Sequence, residues 1–159
     1  MKWQRLSMAT YRFMTDGSHL FANKKAGRFE PSTGYGWVLM KEGKDGFANR
    51  RFFKRIDGKH TNNAAEWLAV IDAVEYAKKH LRDATKVVIL TDSELVVKQI
   101  NGEYQVKDKK LKQYKTKLNF LFRGHSGGSV FDLVVKHIYR EKNEIADSLS
   151  KLGSLIRFE

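Results

Sequence analysis

A change of hydrophobic period at the middle of this chain limits its possible folds more than any other feature. Upstream of Thr61, the stretches "YRFMTD", "GYGWVLMKEG" and "FANRRFFKRI" read as strands. The first is bounded by an Asp-Gly turn signal, and the other two are separated by the turn residues Lys44, Asp45 and Gly46. Downstream, "NAAEWLAVIDAVEYAKKHL" carries Trp67, Val70, Val74, Ala77 and Leu81 at helical spacing. "KVVIL" is a short continuous apolar run, which suits a strand covered on both faces. "SELVVKQING" reads as a second helix stopped by Asn101-Gly102. A third, "DKKLKQYKTKLNFLF", puts Leu111, Tyr114 and Leu118 on one stripe; "FDLVVKHIY" is the last strand and "KNEIADSLSKLG" the last helix. Strands joined by loops form an antiparallel meander, whereas strands joined through helices run parallel. The expectation is one α/β domain on a mixed five-stranded sheet, spanning residues 10–153. Residues 1–9 would be an extension, with Met8 an alternative start, and residues 154–159 a tail.

Charge narrows the partners. Thirty Lys and Arg against eighteen Asp and Glu give a net charge of +12. Such a balance favours polyanions, with nucleic acid ahead of anionic membrane surfaces because phosphate contacts supply most non-specific affinity. The absence of cysteine excludes disulfides and thiolate metal sites and fits a reducing, cytoplasmic setting. "MKWQRLSMATYRFM" holds no apolar run long enough for a signal peptide or a membrane span, so no membrane partner is expected.

Two strands run into the same dipeptide: "FMTDGS" places Asp16, and "VVILTDSE" places Asp92. In a mixed sheet, active groups gather outside the ends of neighbouring strands. If these two strands are adjacent, acids distant in sequence meet at one edge. Either acid alone has a plainer use: Asp16 in its Asp-Gly turn, Asp92 capping the helix that follows it. Glu66, expected in the first turn of the long helix, borders a face of Ala69, Ala73 and Ala77, where an acid needs solvent or a cation. Asp147 lies four residues after Asn143 on the last helix, on one side with it. Converging carboxylates repel, and a hard divalent cation relieves the repulsion.

The ordered series "TDGS", "TNNAAEWLAV", "TDSELVVKQINGEY" and "YREKNEIADSLSKL" resembles the ribonuclease H family, type 1 class, in its shorter members without a basic helical protrusion. The resemblance runs from about Tyr11 to Leu152. It implies a ribonuclease H-like fold and a metal-binding quartet of Asp16, Glu66, Asp92 and Asp147. It further implies hydrolysis of the RNA strand of RNA–DNA hybrids by a monomer, with two Mg²⁺ ions (Mn²⁺ a substitute) ~4 Å apart, leaving 5′-phosphate and 3′-hydroxyl ends. Asp16 would bridge the ions, Glu66 and Asp92 would hold the leaving-group ion, and Asp147 the ion bearing the nucleophile. Glu66 would also accept a hydrogen bond from a ribose 2′-OH, the group that distinguishes RNA from DNA. Thr61 would touch a DNA phosphate, with Asn62 and Asn63 reaching base edges. Gly17, Ser18, Ser93 and Asn143 complete the implied substrate contacts. Thr61 or Asn62 equally reads as an N-cap.

The resemblance also departs in places. His137 stands ten residues before Asp147, where some family members carry a mobile histidine. It lies in continuous strand, so Arg140 is the expected group near the scissile phosphate and His137 is assigned to strand packing. The connection from Ser18 to Thr33 is longer and more basic than the family's turn, holding Lys24, Lys25 and Arg28, with His19 close to the acid. Lys109, Lys110 and Lys112 form either a solvated helix face or a phosphate track. A non-catalytic binding module on the same fold is the alternative function.

Overall fold

A computed structural model describes residues 9–27, 30–41, 48–122 and 130–156. Met1, Met8, Arg28, Lys44, Asp45, Gly46 and His125 therefore lie outside the described residues. Strands β1 (Ala9–Leu20), β2 (Ser32–Lys41) and β3 (Ala48–Ile56) form the expected meander. Helix α1 (Asn62–His80) leads to β4 (Ala84–Thr91); helices α2 (Glu94–Ile100) and α3 (Lys109–Phe122) lead to β5 (Asp132–His137) and the final helix α4 (Glu144–Leu155). The sheet order is β3-β2-β1-β4-β5, antiparallel across the first three strands and parallel from β1 through β4 to β5. Among the described residues no helix is long and apolar enough to cross a membrane.

Backbone contact at glycines fixes how the layers meet. A Cβ on Gly17 would lie 2.4 Å from the Glu66 nitrogen in α1, and one on Gly36 would lie 2.5 Å from Leu149 Cβ in α4. Gly36 pairs with Asp16, the residue before Gly17, and neighbouring strand residues face opposite ways. Helices α1 and α4 therefore cover opposite faces of the sheet. On the α1 side, Phe13 meets Trp37 edge to face with centroids 5.3 Å apart, and Trp37 Nε1 donates to Asp72 Oδ2 of α1 at 2.7 Å. Val87, Val88, Ile89 and Leu90 of β4 are all buried, as the apolar run requires.

Candidate active site

In the parallel ladder, Thr15 of β1 is the register partner of Thr91 of β4, the last pair of those two strands. Each chain then enters an aspartate, so the repeated Thr-Asp of the sequence becomes one place in space. Asp16 does not close its strand, as the sequence suggested. β1 continues to Leu20 on the strength of its antiparallel partner, and the Asp-Gly pair makes no turn. Gly17 has a different use: only a residue without Cβ lets the start of α1 reach the backbone of β1. That contact brings Glu66 over Asp16, and the Gly17 N–H donates to the Glu66 carboxylate.

Thr61 Oγ1 accepts from the Ala64 N–H at 3.1 Å, so Thr61 is the N-cap of α1. This puts Glu66 in the second helical turn rather than the first. Asp92 does not cap α2; Ser93 does, its Oγ accepting from the Val96 N–H at 3.3 Å, which leaves the Asp92 carboxylate free to face the other acids. Carboxylate oxygens of Asp16, Glu66 and Asp92 lie within 4.8 Å of one another. Asp16 is 4% exposed and Glu66 5%, and Glu66 Oε2 has no hydrogen-bond partner among the described residues.

Burial costs such groups their charge. It pushes Asp16 up to about 7, with the Asp92 carboxylate adding to the rise and the Ser150 hydroxyl opposing it. Glu66 is raised well above the carboxylate range, again by burial first and then by Asp16 and Asp92. Both shifts run the same way, because burial beside a like charge favours the protonated form of each acid. Oxygen-only donors, a buried partnerless oxygen and mutual repulsion are what a hard divalent cation satisfies. The residues present fit Mg²⁺ or Mn²⁺.

Asp147 sits at the rim. It is half-buried in the first turn of α4, and its carboxylate meets Lys151 Nζ at 2.9 Å instead of joining the other three. All four acids nevertheless line one groove of about 460 Å³, together with Gly17, Ser18, Asn62, Ser93 and Arg140. Asn63 turns away, its Nδ2 3.5 Å from Gln99 Oε1, which also accepts from Trp67 Nε1 at 2.9 Å. Asn143 is fully buried and its Nδ2 donates to the Thr15 carbonyl at 2.9 Å. It ties α4 to β1. His137 ends β5 exposed, edge to face with Tyr139, and so is not packed within the sheet's covered face. Lys109, Lys110 and Lys112 open α3, all exposed, with Lys110 Nζ 2.8 Å from His60 Nδ1 just before the α1 cap.

Two site residues escaped the sequence reading. Ser150 Oγ lies 2.8 Å from Asp16 Oδ2 and 2.7 Å from the Asp147 carbonyl, inside a fully buried position. Lys151 lines the groove beside Asp147. Their only signal was the small-residue series Ser150, Gly153 and Ser154 on α4, which meets the glycines of β2: a Cβ on Gly34 would lie 2.2 Å from the Ser154 nitrogen.

The family model for reverse transcriptase-like proteins matches residues 25–153. The chain belongs to this family. Its ribonuclease H-like domain is 33% identical, over 115 residues and 72% of the chain, to ribonuclease HI of Halobacterium salinarum; the match spans 53% of that protein, about half its length. LC11-RNase H1, isolated from compost and crystallised with an RNA/DNA hybrid, superimposes with a TM-score of 0.73 at 29% identity, covering 91% of this chain and 96% of that one. The crystallised RNase H1 of Halobacterium salinarum gives 0.71 at 28% identity with the same coverage.

Proposed function

We propose that this domain is an endoribonuclease that hydrolyses the RNA strand of RNA–DNA hybrids with two Mg²⁺ ions, leaving 5′-phosphate and 3′-hydroxyl ends. One observation carries the proposal: Asp16, Glu66 and Asp92 bring their oxygens within 4.8 Å while two of them are buried. Asp16, Glu66 and Asp92 would hold divalent cations, which when bound would supply water activation and charge neutralisation at the leaving 3′ oxygen. The chain's own residues do the rest. Ser150 donates to Asp16 Oδ2 and fixes how that carboxylate faces Glu66 and Asp92. Glu66 Oε2, with no partner among the described residues, is available to a ribose 2′-OH. Arg140 on the groove wall meets the scissile phosphate. Thr61 Oγ1 accepts the cap bond from the Ala64 N–H, which leaves its own O–H to donate to a DNA-strand phosphate beside the N–H groups of the α1 N-terminus.

A second reading, a non-catalytic hybrid-binding module, draws support from Asp147, which is ion-paired to Lys151 rather than clustered with the other acids. Cleavage of end-labelled hybrid in Mg²⁺, beside single-stranded RNA, duplex RNA and duplex DNA, separates the two. Cleavage of hybrid alone, abolished by Asp16→Asn, is the expected result. Tight hybrid binding with no cleavage in Mg²⁺ or Mn²⁺ would leave only the binder.

A further inference from the structure

Where β1 ends at Leu20, the chain builds a second concavity beside the acidic groove. It has a volume of about 530 Å³ and is lined by His19, Leu20, Phe21, Asn23, Lys24 and Lys25 among others. His19 and Leu20 also line the acidic groove, so the two spaces share a wall. Phe21 is 76% exposed, the most exposed of the large apolar side chains described, and it stands directly in this wall. Its ring is held edge to face by His19, centroids 4.9 Å apart at 84°. His19 is itself placed by Thr33, whose Oγ1 lies 2.9 Å from His19 Nδ1. The floor of the concavity is a defined turn. Asn23 Oδ1 accepts from the Ala26 N–H at 3.2 Å, and Gly27, at φ 76°, closes the turn by donating to the Lys24 carbonyl at 3.1 Å. Residues 19–27 include no carboxylate, so Lys24 and Lys25 have none within their own turn.

An aromatic face left open beside two lysines and a nuclease groove suits one chemistry: a nucleobase on the ring and its phosphate on the ammonium groups. Within a duplex the base faces are covered by their stacked neighbours, so only an unpaired nucleotide offers one. We infer that this pocket is a subsite for an unpaired nucleotide flanking the cleaved hybrid, and that the substrate class includes hybrids carrying a single-stranded extension. The inference rests on the hybrid-cleaving function proposed above and adds to it a preference among hybrids.

The test uses the full chain in EDTA and fluorescence anisotropy on a blunt hybrid of about 12 base pairs. The same hybrid is then measured with a four-nucleotide extension placed in turn on each of its four strand ends. One of the extensions should tighten binding roughly ten-fold, a usual scale for one stacked base. Phe21→Ala and Phe21→Leu should erase that gain and leave the blunt hybrid unchanged, while Phe21→Trp should keep it. Lys24→Ala with Lys25→Ala should lower the salt slope on the extended hybrid by ~0.7 per lost phosphate contact. If no extension tightens binding, or if Phe21→Ala weakens blunt and extended hybrids alike, the subsite is refuted while hybrid cleavage stands. If the blunt hybrid is neither bound nor cut in Mg²⁺, the proposed function fails and this inference with it.

Discussion

Stripped of divalent cations, this domain should lose stability as pH rises from 5 to 8. An acid whose folded pKa lies above its unfolded value keeps its proton longer in the folded state. Its contribution is therefore whole below the unfolded value and is lost as pH climbs through the folded one. Asp16 is in this position, raised by burial and by Asp92 from 3.8 to about 7. At ~1.4 kcal/mol per pH unit, the part of that interval above pH 5 costs the fold ~3 kcal/mol by pH 8. Glu66, displaced in the same direction by burial and Asp16, adds to the loss. The net charge of +12 acts the other way, because deprotonation relieves general repulsion. Those charges are spread over the surface and screened beyond ~8 Å in 0.15 M salt, so the buried acids dominate. Out of the ~5–15 kcal/mol that holds a typical domain, the effect is large. Mg²⁺ at one hundred times its dissociation constant should restore ~2.7 kcal/mol, since it binds only the assembled site. Urea unfolding followed by tryptophan fluorescence, in EDTA and in Mg²⁺ across this pH range, reads both effects. Asp16→Asn should flatten the EDTA profile and be the more stable protein at pH 8. EDTA midpoints that stay level or rise with pH, or that run parallel in the parent and Asp16→Asn, would refute the linkage.

Three further outcomes can be checked. Ser150→Ala removes the donor 2.8 Å from Asp16 Oδ2 and should raise the Mg²⁺ needed for half-maximal thermal stabilisation by about ten-fold, as expected for a lost hydrogen bond to a charged group; an unchanged Mg²⁺ dependence removes Ser150 from the site. Gly17→Ala would set a Cβ 2.4 Å from the Glu66 nitrogen and 2.6 Å from the Ala65 carbonyl carbon, both backbone, and should cost ~2–3 kcal/mol or more in urea unfolding; a loss below ~1 kcal/mol means α1 shifts freely. Replacing Lys109, Lys110 and Lys112 by Ala should lower the salt slope of hybrid binding by up to ~0.9 for each phosphate contact removed while leaving Mg²⁺ affinity unchanged; an unaltered slope makes these lysines a solvated face.

Much of this molecule was legible before its coordinates because each element announces itself locally. The period of α1, the unbroken apolar run of β4 and the Asn-Gly stop after α2 each follow from side-chain chemistry within a few residues. The errors share one physical cause. Asp-Gly at Asp16 carries a turn signal, yet a paired neighbour overrode it: β2 supplies hydrogen bonds through Leu20 and makes extension the cheaper state. Depth is equally hidden: nothing in the identity or spacing of Asn143 shows that it is fully buried with its amide donating to the Thr15 carbonyl. Ser150 was invisible for the complementary reason. A helical serine three residues after Asp147 is ordinary in sequence, and only the approach of α4 to Gly36 brings it to Asp16.

That approach bears on how the fold tolerates its own site. Gathering three carboxylates at a strand end opposes folding, and nothing in the immediate sequence of any one of them compensates for it. What holds them is backbone packed on backbone from both sides: α1 against Gly17, α4 against Gly34 and Gly36, and Gly153 of α4 against the Lys54 carbonyl of β3, 2.6 Å from where a Cβ would stand. Contacts of this kind cannot relax sideways as long side chains can, because close-packed interiors transmit strain. Asp16 and Glu66 are therefore held close despite like charge, and burial with mutual repulsion raises both acids. The glycines and small α4 residues thus set the spacing of the acids. A substitution at Gly36 that left the fold intact would have to move α4, and with it Ser150 and Asp147, away from Asp16.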